Sequence, residues 1–259
     1  MTTVEHLIED IDLGPDIGPG EVWLVGAGPG DPRYLTLEAF HALAQADDIV
    51  YDALVDPRTL RLVPRADKHF VGKRCDRHSI AQDDINTLLI TLARGNRRVV
   101  RLKGGDPFLF GRAAEEVSAL RNAGIPVRVL PGLTSSLAAL TRAGIPLTLR
   151  GVNEALVLVT GHVANNHRQA DWRALARIGQ PLIIYMGLKN IRHITDELLA
   201  GGLAPETDVA VIMSASWPGE RVFMTTLEKA CEDSIRECFT PPAILAVGKT
   251  VALRNRFSV

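Results

Sequence analysis

The stretch EVWLVGAGPGDPRYLTLEAFHALAQADDIVYD, residues 21–52, decides the fold class of this chain. It begins with a short apolar run, EVWLVG at 21–26, which is too short for a helix and predicts a buried strand. A glycine-rich loop follows, then helical spacing over Leu35–Ala46 and a second Val- and Ile-rich run, DIVYD, at 48–52. A strand, a helix and a strand in this order predict a parallel βαβ unit.

The same alternation of short apolar runs and helical spacing continues along the chain. Further strands are predicted at RVVRL (98–102), PVRVL (126–130), EALVLVTG (154–161), PLIIYM (181–186), VAVIM (209–213) and PAILAVG (242–248). Further helices are predicted at Ile80–Arg94, Arg112–Ala123, Leu133–Ala143, Trp172–Ile178, Ile191–Ala200 and Leu227–Cys238. The pattern is typical of an α/β protein with substantially parallel pairing. The segment FMTTL (223–227), after Pro218 and Gly219, also predicts a hairpin and a more mixed sheet in the second half.

Composition and loop-rich segments set the expected domain boundaries. Residues 1–19 are acidic and contain several glycines and prolines, so they bury little apolar surface and are expected to form a flexible tail. The loop-rich stretch PGLTSS (131–136) divides the remainder into an N-terminal α/β domain, 20–133, and a C-terminal α/β domain with a mixed sheet, 134–259. A chain of 259 residues is long enough for two such cores.

The charge and cysteine content narrow the function classes. The formal net charge is −1, so no overall basic surface favours nucleic acid, although a local basic face would still bind an acidic small molecule. The three cysteines, Cys75, Cys231 and Cys238, form no CxxC pair, which argues against a disulfide framework or a zinc site. The N-terminus has no basic signal-peptide start, and no apolar run approaches the ~20 residues of a membrane span. We therefore expect a cytoplasmic protein that binds neither membrane nor nucleic acid and holds no metal.

A glycine loop follows the first predicted strand and marks the expected ligand-binding edge of the sheet. It contains Gly26, Gly28 and Gly30, which let the backbone close on a ligand. The third glycine comes one residue too early for the dinucleotide fingerprint, and Pro29 removes an N–H group that would hold a pyrophosphate. A phosphate cradle is therefore not expected. Asp52, at the end of the next strand, still leaves a ribose-binding NAD enzyme as an alternative.

The segment RLKGGDPFLFGRAAEE, residues 101–116, repeats this arrangement. Gly104 and Gly105 follow a strand, and Asp106 is a hydrogen-bond acceptor for a ligand or simply a turn former before Pro107. Two glycine loops with interior acids fit a ligand that has hydroxyl and amino donors but no phosphate. Adenosyl-type ligands meet that description.

A series of short motifs runs in order from about residue 21 to residue 252. They are VGAGPGDP (25–32), LTL (35–37), VYDALV (50–55), VGKR (71–74), RLKGGDPFLFGR (101–112) with EE (115–116), PGLTSS (131–136), AGIPLT (143–148), VTGH (159–162), YMGL (185–188) and PAILAVG (242–248). Together they resemble the motifs of the tetrapyrrole methylases, in particular the uroporphyrinogen-III C-methyltransferases. The resemblance is most specific where GDPFLFGR and VGAGPGDP occur in one chain.

This resemblance implies a fold and a reaction. It implies a homodimer of two α/β domains, with S-adenosylmethionine bound in the cleft between the domains and S-adenosylhomocysteine left as product. It also implies methylation of uroporphyrinogen III at C2 and C7 to give precorrin-2, which leads to sirohaem, cobalamin or haem d1. Since the chain has no room for a fused dehydrogenase-chelatase module, the reaction is expected to stop there. The alternatives are a methylase of a later corrin precursor, an NAD-dependent oxidoreductase and a non-catalytic tetrapyrrole carrier.

The resemblance also implies a set of site residues. Asp52 and Lys73 match the family's proton acceptor and donor. Arg112, Glu115 and Arg150 match residues that line the tetrapyrrole pocket. Met186 is expected to contact both substrate and cofactor. The residues expected to contact the cofactor are Pro29, Gly104, Gly105, Asp106, Leu109, Thr134, Ser135, Met186, Ala215 and Ala243.

The chemistry of the implied reaction agrees with these residue types. Uroporphyrinogen carries carboxylates, which arginine binds bidentately. A local basic set is predicted to face this polyanion: Arg58, Arg61, Arg65, Lys68, Lys73, Arg74 and Arg77. Arg112 is grouped with the catalytic residues, but its ordinary pKa favours anchoring of the substrate, and Asp52 is the easier base. Glu115 is expected to orient Arg112 or only to form a surface pair with it.

Three features depart from the family pattern. Leu149 stands where the family usually has histidine, and Ala113 and Ala114 replace a common glycine pair. Ser135 and Ser136 stand where alanine is frequent. We expect these departures to affect the choice of tetrapyrrole and the number of methylations rather than the reaction class.

Overall fold

The computed structural model describes residues 11–72, 81–162 and 169–257. The chain divides into two units, Met1–Leu133 and Thr134–Val259, called here the N-terminal and C-terminal units. In the described residues each unit contains one five-stranded sheet with helices packed on it. Three short 3-10 helices, Pro32–Tyr34, Leu188–Asn190 and Val251–Leu253, lie in the connections.

The N-terminal unit is built on a parallel sheet. Its strands are β1 (Val22–Gly26), β2 (Asp48–Tyr51), β3 (Asp67–Phe70), β4 (Val99–Lys103) and β5 (Val127–Leu130). Its helices are α1 (Leu37–Gln45), α2 (Pro57–Arg61), α3 (Gln82–Arg94) and α4 (Ala113–Asn122). The strand order is β3-β2-β4-β1-β5, and every pair is parallel. Apolar residues of α1 cover one face of the sheet and those of α3 and α4 cover the other, so both faces are buried.

The C-terminal unit is built on a mixed sheet. Its strands are β6 (Val157–Thr160), β7 (Leu182–Tyr185), β8 (Asp208–Met213), β9 (Arg221–Thr226) and β10 (Ala243–Val247). Its helices are α5 (Ser135–Arg142), α6 (Trp172–Ile178), α7 (Ile191–Ala200), α8 (Ala230–Arg236) and α9 (Arg254–Phe257). The order is β6-β7-β10-β8-β9, with β6 and β7 parallel and the other pairs antiparallel. The predicted α/β class and the predicted hairpin, β8–β9, are confirmed.

Helix α2 and strand β3 of the N-terminal unit were not predicted. Helix α2 has only five residues, so it shows no apolar period, although Asp56 caps its first turn and Pro57 begins it. Strand β3 has the sequence DKHF and lies at the edge of the sheet, where charged residues replace apolar ones. In the C-terminal unit, α8 (Ala230–Arg236) is shorter than the predicted Leu227–Cys238, and at its C-terminal end Cys238 adopts a left-handed φ of 54° that does not continue a helix.

The expected flexible tail does not extend to residue 19. The side chain of Ile17 is buried, with 3% of its surface exposed, and it belongs to the apolar core beneath α1. Its peptide N–H donates to the side-chain carbonyl of Gln45 at 3.0 Å. The last residues of the predicted tail are therefore anchored by burial and a hydrogen bond.

An ion pair joins β2 and β4 at the amino edge of the parallel sheet. Arg98 donates Nη2 to Asp47 at 2.6 Å and Nε at 3.1 Å, and its peptide N–H adds a third bond at 2.9 Å. The hydrogen bonds from the Arg98 side chain lower the pKa of Asp47 from 3.8 to about 2. The folded state therefore stabilises the ionised form of Asp47. Its contribution to stability is present above the pKa of Asp47 in the unfolded chain and is lost as the pH falls toward 2.

We therefore expect acid to reveal the Asp47 contribution. The free energy of unfolding should fall between about pH 4 and pH 2, and Asp47→Asn should make this fall shallower. Urea unfolding at a series of pH values measures it. Asp196→Asn, on the exposed face of α7, is the control and should leave the slope unchanged. An equal slope in wild type and Asp47→Asn would contradict the assignment.

Candidate functional site

Four loops of the N-terminal unit leave the same edge of the parallel sheet. They follow β1, β2, β4 and β5, at residues 27–31, 52–56, 104–111 and 131–133. Because the strands are parallel, their carboxyl ends meet there, which is where α/β sheets bind ligands. This edge carries Pro29, Asp52, Gly104, Gly105, Asp106 and Leu109 among the predicted site residues.

Glycines allow these loops to touch. Gly28 and Gly105 exchange backbone hydrogen bonds of 2.7 and 3.3 Å, which joins the two predicted glycine loops. A Cβ on Gly132 would lie 2.2 Å from the Gly105 carbonyl oxygen, and one on Gly26 would lie 2.5 Å from the Gly132 Cα. Gly104 is packed as tightly, since its Cβ would lie 2.5 Å from that of Leu54. The glycines thus serve contact between loops.

Asp106 fastens the second glycine loop. Its Oδ1 accepts from the peptide N–H of Phe108 at 2.9 Å, and its Oδ2 accepts from that of Gly132 at 3.1 Å. The first bond is the turn expected before Pro107, and the second joins the loops after β4 and β5. Each oxygen retains lone-pair capacity for a ligand donor. The Asp106 side chain therefore forms the turn and still has acceptor capacity for a ligand.

Asp52 lies at the carboxyl end of β2 with 25% of its side chain exposed. Its Oδ1 accepts from the Leu54 peptide N–H at 3.0 Å, and its Oδ2 faces the Arg101 Nη2 at 3.4 Å. The carboxylate is therefore held on one side and open on the other. Lys73, the predicted proton donor, lies outside the described residues.

A buried group of charges that was not predicted lies next to Asp52. Arg101, Lys103 and Glu116, called here the buried charge cluster, have side chains 4%, 5% and 0% exposed. Glu116 accepts from Arg101 Nε at 3.2 Å and from Lys103 Nζ at 2.9 Å. Burial and then the neighbouring Arg101 lower the pKa of Lys103. The signal was present, since RLK places two cations at alternate positions of an otherwise apolar strand.

Arg112 and Glu115 form the predicted pair at the start of α4. Arg112 precedes the helix with a left-handed φ of 59° and donates Nε and Nη2 to Glu115 at 2.8 and 2.6 Å. This bidentate pairing, above all its hydrogen bonds, raises the pKa of Arg112 further above its ordinary value. Arg112 therefore remains a cation, which suits an anchor and not a base. Both side chains are more than half exposed, at 57% and 52%.

The C-terminal unit gathers the other predicted cofactor residues at one sheet edge. Ile244 pairs with Tyr185, so Ala243 and Met186 leave neighbouring strands at this edge, and Ala215 follows β8, which pairs with β10. The Tyr185 hydroxyl hydrogen-bonds Thr134 Oγ1 at 2.6 Å, which brings the start of α5 and Ser135 to the same place.

Three residues at this edge adopt left-handed backbone conformations. They are Met186, Ser214 and Ser216, with φ of 53°, 53° and 66°. Such conformations cost of order 1–3 kcal/mol each and persist where the surrounding structure fixes them, commonly at binding sites. Met186 is exposed and Ala215, between the two serines, is buried. The edge therefore combines backbone strain with an exposed thioether.

Arg150 lies in a separate loop of the C-terminal unit. The side chain of Asn153 organises this loop, because it accepts from the Leu149 N–H at 2.9 Å and donates to the carbonyls of Leu147 and Ala155. Arg150 is exposed at its tip. Leu149, the departure from the family's histidine, lies at the base of the loop and is half-buried.

The described members of the predicted basic set have different partners. Arg58 donates to Asp56 at 2.8 Å and lies 3.6 Å from Asp31, so its guanidinium holds the loop after β1 to that after β2. Lys68 donates to two backbone carbonyls. Arg61 and Arg65 are exposed. The remaining members, Lys73, Arg74 and Arg77, lie outside the described residues. Arg58 therefore pairs with two carboxylates of this chain, and its role as a substrate contact stays a prediction.

Neither a metal centre nor a spanning helix is found in the part of the chain that the structure describes. No three His, Cys, Asp or Glu side chains in these residues come together as metal ligands. None of their helices has the length and apolar character to cross a bilayer.

Known proteins are similar to this chain in sequence. Residues 21–231 match the family model of the tetrapyrrole (corrin/porphyrin) methylases. A uroporphyrinogen-III C-methyltransferase from Sinorhizobium sp is 45% identical over 252 residues, which are 96% of this chain and 90% of that protein. A siroheme synthase from Nitrosomonas eutropha is 43% identical over 98% of this chain. This chain spans only about half of that relative, 54% of its length.

A solved structure shows the same fold. It is a uroporphyrin-III C-methyl transferase from Thermus thermophilus complexed with S-adenyl homocysteine, with a TM-score of 0.78 and 41% identity. The match covers 90% of this chain and 99% of that one. On the family model and this likeness, the chain belongs to the tetrapyrrole methylase family.

Proposed function

We propose that this chain is an S-adenosylmethionine-dependent C-methyltransferase that converts uroporphyrinogen III to precorrin-2 by methylation at C2 and C7. The observation that carries the proposal is the 45% identity to the Sinorhizobium methyltransferase over nearly the full length of both chains. The product would serve sirohaem, cobalamin or haem d1 synthesis. A methylase of a later corrin precursor is the alternative, which Leu149, Ala113 and Ala114 keep open.

The residues present fit an adenosyl donor. The loops at 27–31, 104–106, 134–136 and 214–216 contain no lysine or arginine, as suits a ligand without phosphate. They offer the Asp106 carboxylate, the Thr134 hydroxyl and backbone groups as partners for hydroxyl and amino groups. When bound, the donor supplies an electrophilic methyl group on a sulfonium. Its contacts would be Pro29, Gly104, Gly105, Asp106, Leu109, Thr134, Ser135, Met186, Ala215 and Ala243.

The chain's own residues have two tasks in this reaction. The first is to hold an electron-rich pyrrole carbon in line with the methyl group, and positioning of this kind supplies much of the rate. Arg112, oriented by Glu115, would anchor a substrate carboxylate for that purpose, together with Arg150. The second task is to remove the proton that the methylated ring loses. Asp52 is the proposed base, because its carboxylate is oriented by the Leu54 N–H and is partly exposed. Lys73 is the proposed proton donor.

The test is an anaerobic incubation with S-adenosylmethionine and uroporphyrinogen III. Absorption spectra and mass spectrometry should detect a dimethylated product and S-adenosylhomocysteine. Binding of the tetrapyrrole without consumption of the donor would indicate a carrier, and NAD released from the denatured protein would indicate an oxidoreductase. Methylation of a later corrin precursor, without methylation of uroporphyrinogen III, would support the alternative substrate.

Arg112→Ala should separate the two ligands. Hydrogen bonds to charged groups contribute about 1.5–3 kcal/mol, so the Kd for uroporphyrinogen III should rise roughly tenfold to a hundredfold. The Kd for S-adenosylmethionine should stay within about twofold, which equilibrium binding of each ligand measures. Arg173→Ala is the matched control, because Arg173 forms a similar bidentate pair with Glu197, on α6 and α7. Equal weakening of both ligands by Arg112→Ala would contradict its assignment to the tetrapyrrole.

The assembly and the location of the chain are also part of the proposal. From the family resemblance we propose a cytoplasmic homodimer. Sedimentation equilibrium of the purified protein should give twice the chain mass of 28.1 kDa. A concentration-independent monomer would refute the dimer, and fractionation of cells that express the tagged protein tests the location.

A further inference from the structure

We propose that Arg101 is a positioning residue: its guanidinium, fixed by Glu116, holds the carboxylate of Asp52 in the orientation that proton removal requires. This inference rests on the proposed function, because Asp52 is the base in that proposal. It assigns a role to a buried arginine that is not among the expected contacts to cofactor or substrate.

Strand β4 turns two cations toward the same side of the sheet. Side chains alternate along a strand, so Val100 and Leu102 enter the core beneath α1 while Arg101 and Lys103 face α4. Glu116 projects from α4 and receives both. Gln82 Nε2 adds a further hydrogen bond to Glu116 Oε1 at 3.2 Å, from the start of α3. The carboxylate that receives Arg101 is therefore fixed from three directions.

All three nitrogens of the Arg101 guanidinium have hydrogen-bond partners. Nε donates to Glu116, and Nη1 donates to the carbonyls of Val50 and Leu102 at 3.3 and 3.0 Å. These partners are a fully buried carboxylate and two strand carbonyls, none of which rotates freely. The remaining nitrogen, Nη2, points along the sheet edge to Asp52 Oδ2 at 3.4 Å. Because a guanidinium is planar, fixing two of its nitrogens also fixes the third.

Asp52 receives a different partner on each oxygen. The Leu54 N–H holds Oδ1 and Arg101 holds Oδ2, while a quarter of the side chain stays exposed. A carboxylate with a fixed plane and an open face meets the geometric demand on a general base. Without Arg101, the bond from Leu54 alone would leave the carboxylate free to rotate about it.

Stability alone does not account for an arginine at this place. Taking a cation out of water costs several kcal/mol, and well-packed apolar residues of similar volume are often as stable as a buried ion pair or more so. The cluster also places two cations next to each other, and burial with the proximity of Arg101 lowers the pKa of Lys103. Asp52 supplies the second carboxylate that balances the two cations. The arrangement lowers the stability of the fold, and in return it fixes the Asp52 carboxylate at the carboxyl edge of the parallel sheet.

The test compares two variants that each remove one buried cation from Glu116. Arg101→Met removes the contact to Asp52, whereas Lys103→Met leaves it in place. Steady-state methylation of uroporphyrinogen III gives kcat and the KM of each substrate, and circular dichroism gives the unfolding temperature. We expect Arg101→Met to lower kcat at least tenfold with both KM values within about threefold, and Lys103→Met to keep kcat within about threefold. Arg101→Lys, which keeps a cation beside Glu116 but lacks the fork, should also lose kcat.

The outcomes separate the inference from the proposed function. If the wild-type protein methylates and Arg101→Met retains its kcat, the positioning role is wrong. If Arg101→Met and Lys103→Met lose kcat equally, in step with their unfolding temperatures, the cluster is only structural and the inference is also overturned. If Arg101→Met does not fold, Arg101→Lys and Lys103→Met are compared by the same criteria. No methylation by the wild-type protein refutes the proposed function itself.

Discussion

Gly132→Ala is expected to lower the free energy of unfolding of the N-terminal unit by about 3 kcal/mol, the upper end for forced overpacking. The new Cβ would lie 2.2 Å from the Gly105 carbonyl oxygen and 2.8 Å from the Gly26 Cα. Both neighbours are backbone atoms, so no side chain can rotate away and the loops after β1, β4 and β5 must separate. Urea unfolding followed by circular dichroism measures the loss.

Gly124→Ala is the matched control for this prediction. Gly124 has a left-handed φ of +72°, but nothing lies within 4 Å of its added Cβ. It should therefore cost only the roughly 1–2 kcal/mol of a left-handed alanine. If Gly132→Ala costs less than about 1 kcal/mol, the close approach of the loops is not what requires Gly132.

Glu116→Leu should destabilise the same unit by about 3–5 kcal/mol, because it leaves Arg101 and Lys103 as buried cations without their shared carboxylate. Truncating one partner of a buried pair exposes the full desolvation penalty of the other. Chemical denaturation at neutral pH measures the effect. Glu115→Leu, one position earlier on the exposed face of α4, is the control and should change stability by less than about 1 kcal/mol.

A triple variant distinguishes loss of charge balance from loss of packing. Arg101→Met, Lys103→Met and Glu116→Leu together replace the buried charge cluster with apolar residues of comparable volume, and most of the lost stability should return. Methyl transfer should not return, since Asp52 would still lack Arg101. A triple variant as unstable as Glu116→Leu would show that shape, and not charge, dominates at this position.

The architecture was predictable where it depends on local periodicity. Short Val- and Ile-rich runs marked the buried strands of both sheets, because a strand covered on both faces is mostly apolar. The same rule failed for β3, an edge strand with the sequence DKHF, and for the five-residue α2. Strand β3 is stabilised by its pairing with β2, which a single sequence does not display. Helix α2 is capped by Asp56 and is too short to show an apolar period.

The site was predictable in its loops but not in its partners. The two glycine loops were located from the sequence, because they follow strands directly. That Gly28 bonds Gly105, and that Gly132 completes the contact, depends on which strands lie side by side in the sheet. The buried charge cluster was missed for a related reason. Glu116 follows Arg101 by fifteen residues on another element, and only the packing of α4 on β4 brings them together.

The mutual hydrogen bonds of Gly28 and Gly105, with the Asp106 bond to Gly132, order the backbone at the carboxyl edge of the parallel sheet, where we propose that the donor binds. Because these loops are already ordered before a ligand binds, their backbone loses little conformational entropy on binding. Calorimetry of the donor should accordingly show a heat-capacity change that matches the contact area alone, without the larger signature of a segment that folds as it binds.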